Sequence, residues 1–318
     1  IAHVGERTAD EYVNVAKDNG DGTYSITITS KKVGDDTFGF MVLAASGGAN
    51  NRATVTYTAG EASAAQSEIS VSPAVITADG TTEAIVTVTL KDALGNRLNS
   101  NGNNAQVLLD QVNTGVIKEE LVYEGADSGR FVGKVVSTKD GEDMLTFTLN
   151  GTSASGPKST AKLEYRSGGY SLTTSTIELS KPQIIADDVD ASIVTVTLRD
   201  QFNNIVTDLQ DVRLYEISTG HLENEGSLVL HSVNGNGIYT GTITSRKTGE
   251  DNLFFTVDGN KSQDHKLLTY VAGDASIETS LISVNPVSIT ANDSDQATVT
   301  VQLRDKFGNN LDREVNQG

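Results

Sequence analysis

The chain repeats itself. Val86-Thr87-Val88-Thr89-Leu90-Lys91-Asp92 returns as Val194-Thr195-Val196-Thr197-Leu198-Arg199-Asp200, and again as Val299-Thr300-Val301-Gln302-Leu303-Arg304-Asp305, at spacings of 108 and 105 residues. A period this long means that one folded unit is written several times along the chain. Each copy runs into the same turn: Asp92-Ala93-Leu94-Gly95-Asn96, Asp200-Gln201-Phe202-Asn203-Asn204 and Asp305-Lys306-Phe307-Gly308-Asn309. Upstream, Ile69-Ser70-Val71 matches Ile177-Glu178-Leu179 and Ile282-Ser283-Val284, with Ile76, Ile184 and Ile289 following at one offset.

A second block recurs as well. Gly22-Thr23-Tyr24 corresponds to Gly129-Arg130-Phe131 and Gly237-Ile238-Tyr239, and Gly34-Asp35-Asp36 to Gly141-Glu142-Asp143 and Gly249-Glu250-Asp251. Tyr57-Thr58-Ala59-Gly60 matches Tyr165-Arg166-Ser167-Gly168 and Tyr270-Val271-Ala272-Gly273. The blocks divide the chain into the later part of a repeat (1–60), two complete repeats (61–168 and 169–273) and the earlier part of another (274–318). Simple truncation of a longer array accounts for the two partial copies, and completion of one end by the other between molecules is the alternative.

Within a repeat, Val-Thr-Val-Thr-Leu alternates with the period of a strand that has one buried face. Val86, Val88 and Leu90 are expected inward, and Thr87 and Thr89 outward, where β-branching favours extended backbone and the hydroxyl stays wet. Tyr24-Ser25-Ile26-Thr27-Ile28 and Tyr239-Thr240-Gly241-Thr242-Ile243 alternate similarly. Asp79-Gly80, Asn101-Gly102, Asn150-Gly151, Asn234-Gly235 and Asp258-Gly259 accept positive φ and close turns. No stretch of eleven or more residues carries a helical apolar period. About seven short strands per repeat predict an all-β fold of tandem immunoglobulin-like β-sandwiches in a linear array. With 5% aromatic residues and no Trp, each core must be small and mainly aliphatic. The aromatic after the glycine (Tyr24, Phe131, Tyr239) is expected to anchor each core, and a Tyr hydroxyl there can bond nearby backbone.

Ser72-Pro73-Ala74-Val75-Ile76-Thr77-Ala78-Asp79-Gly80, then the Val86–Asp92 strand and Gly95-Asn96, resembles the bacterial immunoglobulin-like domains of the invasin and intimin type. Asn19-Gly20-Asp21-Gly22-Thr23-Tyr24, a Ser-Lys stretch and Gly34 look like the second half of the same family. The resemblance covers essentially the whole chain. It implies extracellular display on a bacterial surface, in adhesin stalks or in cell-wall and surface-layer proteins, without implying a shared ligand. No lectin-like terminal domain or Cys pair of the kind that tips such adhesins is present.

The net charge of −18 disfavours nucleic acid and anionic membrane surfaces. The longest apolar run, Phe38 to Ala45, is far too short to span a bilayer, so membrane insertion is not expected. With no Cys, thiolate metal sites and Cys nucleophiles are excluded together, and His3, His221, His231 and His265 fall at no equivalent repeat positions. No Gly-x-Ser-x-Gly elbow or phosphate-cradling glycine loop occurs. Catalytic, cofactor-binding and metal residues are therefore each expected to be none. Only calcium is admitted as a candidate ion, at acidic turns: Asp187, Asp188 and Asp190, the matching Asn292, Asp293 and Asp295, and Asp79 with Glu83. The solvated turn is the reading preferred there. The recurrent Gly34-Asp35-Asp36 type is read as a turn that needs Gly and a polar side chain.

The expected function is a structural stalk or spacer of a cell-surface protein, without catalysis. Units of roughly 35 Å each would stack through linkers near Gly60-Glu61, Gly168-Gly169 and Gly273-Asp274. The expected partners are neighbouring domains of the same chain, other copies of itself in a self-assembling coat, or a host ligand of unknown identity. Direct adhesion to a host protein or glycan is the alternative, and its signature would be an aromatic or apolar surface patch on one repeat only.

Overall fold

The computed structural model describes residues 2–3, 16–42, 45–46, 51–125, 128–215 and 227–311. Every regular element among them is a strand, and the chain divides into two compact units, Ile1–Arg166 and Ser167–Gly318. Each contains one immunoglobulin-like sandwich together with part of a further repeat.

In the first unit, one sheet runs Val116–Tyr123, Arg130–Val136, Ala84–Thr89, Glu68–Ser72, all antiparallel. The facing sheet runs Val107–Asp110, Gly141–Leu149, Ala161–Arg166, Val75–Thr77, the last pair parallel. The second unit repeats this plan. Thr176–Leu179, Ser192–Thr197, Ile238–Ile243 and His231–Ser232 form one sheet. Gln183–Ile185, Asn260–Val271, Gly249–Val257, Val212–Tyr215 and Ser227–Val229 form the other. Register is conserved to the residue between the copies: Val88 lies opposite Phe131, and Val196 opposite Tyr239.

The alternating strands bury the face assigned to them. Val86, Val88 and Leu90 are fully buried, as are Val194, Val196 and Leu198, against Leu145, Phe147 and Leu163 or Leu253, Phe255 and Leu268. Burying aliphatic side chains of this size is worth about 1.5–3 kcal/mol each, so cores without Trp suffice. Thr87 departs from expectation: it is buried at 8% exposure rather than wet. Its strand is central in the sheet, and Arg130 on the neighbouring strand donates from Nη2 to its Oγ1 at 3.5 Å.

Hairpins follow the turn dipeptides. Asn150-Gly151 joins Gly141–Leu149 to Thr152–Ser153, and Asp258-Gly259 joins Gly249–Val257 to Asn260–Val271. All four of these turn residues have positive φ, between 49° and 81°, the backbone of a two-residue loop whose twist matches its strands.

The anchoring aromatics divide. Phe131 and Tyr239 are buried, and the Tyr239 hydroxyl accepts the Gln210 N–H at 2.9 Å. Tyr24 is instead 64% exposed, and its strand covers only Tyr24–Ser25, paired with Lys17–Asp18. Among the described residues no earlier half of that repeat lies opposite it, so nothing encloses the ring. The converse holds at the other end of the chain. Leu281–Asn285 pairs only with Thr298–Gln302, leaving Ile282, Val284, Val299 and Val301 exposed.

Candidate functional site at the repeat joints

The shared Asp-x-x-x-Asn turn carries the most organised polar cluster in each unit. Asp92 is 5% exposed and every oxygen contact is specified. Its Oδ1 accepts the N–H groups of Leu94 and Asn96, both at 2.9 Å, which shapes the turn. Its Oδ2 accepts the Gly60 N–H at 3.0 Å and the Asn96 Nδ2–H at 2.9 Å. Gly60 closes the preceding repeat, so one carboxylate ties the end of one repeat to the first turn of the next. Burial pushes this carboxyl up, but the Asn96 side chain and the Gly60, Asn96 and Leu94 N–H groups pull it down to about 2.

Asn96 extends the tie. Its Nδ2 donates to the Lys31 carbonyl at 2.9 Å while its Oδ1 accepts the Val33 N–H at 3.3 Å. The side-chain amide thus clips onto the backbone on either side of Lys32, as a strand would. The loop it grips is preformed by Ser30, whose Oγ donates to the Lys32 carbonyl at 2.9 Å and accepts the Lys32 N–H at 3.1 Å.

The second unit reproduces the joint. Asp305 Oδ1 accepts the Phe307 and Asn309 N–H groups, and its Oδ2 accepts Gly273 N–H at 3.1 Å and Asn309 Nδ2–H at 2.8 Å. Asn309 Nδ2 donates to the Arg246 carbonyl at 2.9 Å, and its Oδ1 accepts the Thr248 N–H at 3.1 Å. Ser245 shapes that loop as Ser30 does, through Lys247. Asp200 makes the corresponding bonds to Gly168, Phe202 and Asn204. Asp200 and Asp305, like Asp92, are held below the ordinary carboxylate range despite burial, by their Asn side chains and backbone N–H groups.

The recurrent Gly-x-Asp block is not a turn. Gly34, Gly141 and Gly249 open strands, and the third residue of each block is buried: Asp36, Asp143 and Asp251 are at most 2% exposed. Asp143 Oδ1 accepts the Asn113 and Thr114 N–H groups, and Oδ2 accepts Gly115 N–H and the Tyr165 hydroxyl at 2.8 Å. The Tyr270 hydroxyl donates to Asp251 at 2.9 Å in the same way. Sequence reasoning found both partners as separate blocks and missed that they meet. The signal was available: each acid recurs in step with a Tyr that closes its repeat.

The acidic turns engage their oxygens locally. Asp79 accepts from Thr81 and Thr82, and Glu83 pairs with Lys118 and Lys134. Asp187 accepts the Val189 and Asp190 N–H groups, Asp188 pairs with Arg246, and Asp190 with Lys181. Asn292 accepts from Ser294 and Asp295, and Asp295 accepts the Thr290 N–H. Among the described residues no group of three or more His, Cys, Asp or Glu side chains is placed to hold a metal ion. His221 and the His3 side chain lie outside what is described, and His231 and His265 sit on different sheets.

Comparison with known proteins agrees with this architecture. The sequence pattern of the family described as Invasin, domain 3, matches residues 63–167 and 171–273. The inverse autotransporter adhesin YeeJ of Escherichia coli (strain K12) is 26% identical over 299 residues, covering 92% of this chain; the chain spans 12% of that adhesin's length. The solved structure of InvD from Yersinia pseudotuberculosis has 21% identity and a TM-score of 0.53, over 78% of this chain and 73% of that one, and shows the shared fold. The chain belongs to the invasin domain 3 family of immunoglobulin-like domains, whose relatives are displayed on the bacterial cell surface.

Proposed function

We propose that this segment is a stalk or spacer, holding other parts of its parent protein away from the cell, with no catalysis of its own. The observation that carries the reading is the joint. Asn96 and Asn309 each clip two backbone groups of the preceding repeat, and Asp92 and Asp305 each bind its closing glycine. Three directed hydrogen bonds at a joint restrict bending where a plain Gly linker would leave a hinge. A spacer needs that restriction, because a freely hinged chain of domains coils back on its anchor.

Small-angle X-ray scattering of the chain with and without Asn96→Ala and Asn309→Ala tests this. A compact globule of this length has a radius of gyration of about 20 Å. A spacer gives a markedly larger value that shrinks, or spreads into a wider distribution, when the two clips are removed. A value near the compact figure, or clear turnover in a hydrolase screen, overturns the reading.

A further inference from the structure

Five Asn-Gly pairs occur in the chain: Asn19-Gly20, Asn101-Gly102, Asn150-Gly151, Asn234-Gly235 and Asn236-Gly237. Such a pair can react with itself, because glycine has no Cβ to hinder attack by its own nitrogen on the preceding side chain. The attack needs a side-chain amide free to swing, a glycine N–H that can release its proton, and water around both. The fold grants or withholds these at each pair.

Four of the five side chains are held. Asn19 Nδ2 donates to Thr23 Oγ1 at 3.0 Å, and its Oδ1 accepts the Ser25 hydroxyl at 3.2 Å. Asn101 Nδ2 donates to Asn104 Oδ1 at 2.8 Å, and its Oδ1 accepts the Asn104 N–H at 3.1 Å. Asn150 Oδ1 accepts the Gln106 N–H at 2.8 Å. Asn236 Oδ1 accepts the Ile238 N–H at 3.3 Å, and Gly237 beside it is buried, away from water. Each of these amides must break a hydrogen bond before its Cγ can approach the next nitrogen.

Asn234 is different. Among the described residues its exposed side chain makes no hydrogen bond. Gly235 is exposed too, with φ +67° and open space where a Cβ would stand. Its N–H donates only to Ser232 Oγ, at 3.2 Å, and not into the sheet ladder. The Val233 N–H bonds the Ile238 carbonyl at 2.7 Å and the Asn236 N–H bonds the Val233 carbonyl at 3.3 Å, so both reacting groups stay on one hairpin tip.

We infer that Asn234-Gly235 is a self-modification site, the Asn-Gly pair at which the folded chain deamidates first. The Gly235 nitrogen loses its proton to base and bonds to Asn234 Cγ. The Cγ–Nδ2 bond then breaks, and Nδ2 takes a proton from solvent and leaves as ammonia. Water opens the five-membered imide that remains. Opening at the side-chain carbonyl gives Asp, and opening at the main-chain carbonyl gives isoaspartate, with the backbone running through Cγ. The chain gains a water and loses an ammonia, with no oxidant, metal or partner involved. Either product adds a negative charge to a chain already at −18. Isoaspartate also lengthens the loop that leads into the buried Tyr239. This is independent of the stalk reading.

Incubation of the full chain at mildly alkaline pH, folded or in guanidinium, followed over time by peptide mass mapping with fragment spectra, is the test. In the folded chain Asn234 should deamidate about tenfold faster than the other four, as freeing an amide from a hydrogen bond implies. In guanidinium, where those bonds are gone, the five pairs should react at comparable rates. Asn234→Asp, which tolerates the same φ, should remove most of the early ammonia released by the folded chain. Deamidation of any held pair as fast as Asn234, early ammonia release unchanged in Asn234→Asp, or the folded ranking persisting in guanidinium overturns the assignment.

Discussion

The Tyr165 hydroxyl donates to Asp143 Oδ2 at 2.8 Å, with both groups buried and 22 residues apart in sequence. Burial pushes Asp143 up, yet the Thr114 and Gly115 N–H groups and the Tyr165 hydroxyl bring its carboxyl below the ordinary range. Burial and then the Asp143 charge push the Tyr165 phenol up, so it keeps its proton as the donor. Tyr165→Phe removes one bond to a charged acceptor and should cost about 1.5–3 kcal/mol. Asp143→Ala strands the Tyr165 hydroxyl and three backbone donors and should cost more than Tyr165→Phe. Urea unfolding of both variants checks the order, and an Asp143→Ala cost below that of Tyr165→Phe would contradict the network.

Gly237 has φ +73°, and a Cβ there would meet the Val206 carbonyl oxygen at 2.4 Å. Gly129 is its counterpart, φ +58° with the Leu98 carbonyl oxygen at 2.0 Å. Ala at either position combines a strained backbone with a backbone clash, and should lose more than about 2 kcal/mol. Gly20, with φ +78° and open space around it, should tolerate Ala with only the smaller backbone cost. Thermal melts of the three variants separate the two causes.

Asp92 sets a pH dependence at its joint. Its folded value of about 2 lies below the ordinary unfolded value near 4, so the unfolded chain binds the proton more readily. The stability it contributes is present in full above about pH 4 and is lost as pH falls through about 2. Asp92→Asn should reduce the slope of stability against pH in that window. Amide exchange at Gly60, followed by NMR across the window, reports the joint directly, and an unchanged slope would show that the carboxylate is not what acid releases.

Calcium at millimolar concentration should shift the melting temperature by less than about 1 °C. Asp187, Asp188, Asp190 and Glu83 already satisfy N–H groups or cations, and a cation would have to displace them. Differential scanning calorimetry with and without calcium is the measurement, since a ligand of the folded state stabilises in proportion to the logarithm of its saturation.

What the sequence disclosed was whatever is local or periodic. The inward face of Val86, Val88 and Leu90 follows from alternation alone, and the Asn150-Gly151 and Asp258-Gly259 hairpins from the φ their residues accept. What stayed hidden depends on contacts between distant segments. Thr87 is outward by pattern but roofed by Arg130, which lies 43 residues away. The Gly-x-Asp block looked like a turn because Gly beside acids usually marks one, whereas its acid is a buried acceptor that only a tertiary donor set explains. Asn96 was visible as part of a recurrent turn, but its grip on Lys31 and Val33 spans more than sixty residues and leaves no trace in local pattern. Tyr24 was expected in a core because its counterparts are, and it is exposed because no strand among the described residues faces it across a sandwich.

The Asn clip touches only main-chain atoms of the repeat before it. Where the first joint has Lys31 and Val33, the second has Arg246 and Thr248, and the amide makes the same two bonds to each. Such a coupling is indifferent to the side chains of its neighbour and demands only a loop of the right shape. Units carrying the Ser-shaped loop at one end and Asp-x-x-x-Asn at the other can therefore be duplicated, deleted or reordered without changing the main-chain bonds of the clip, although the second joint adds a side-chain contact of its own, Arg246 over the Phe307 ring. The length of the array then becomes a trait that evolves by copy number, like links added to a chain with a common coupling.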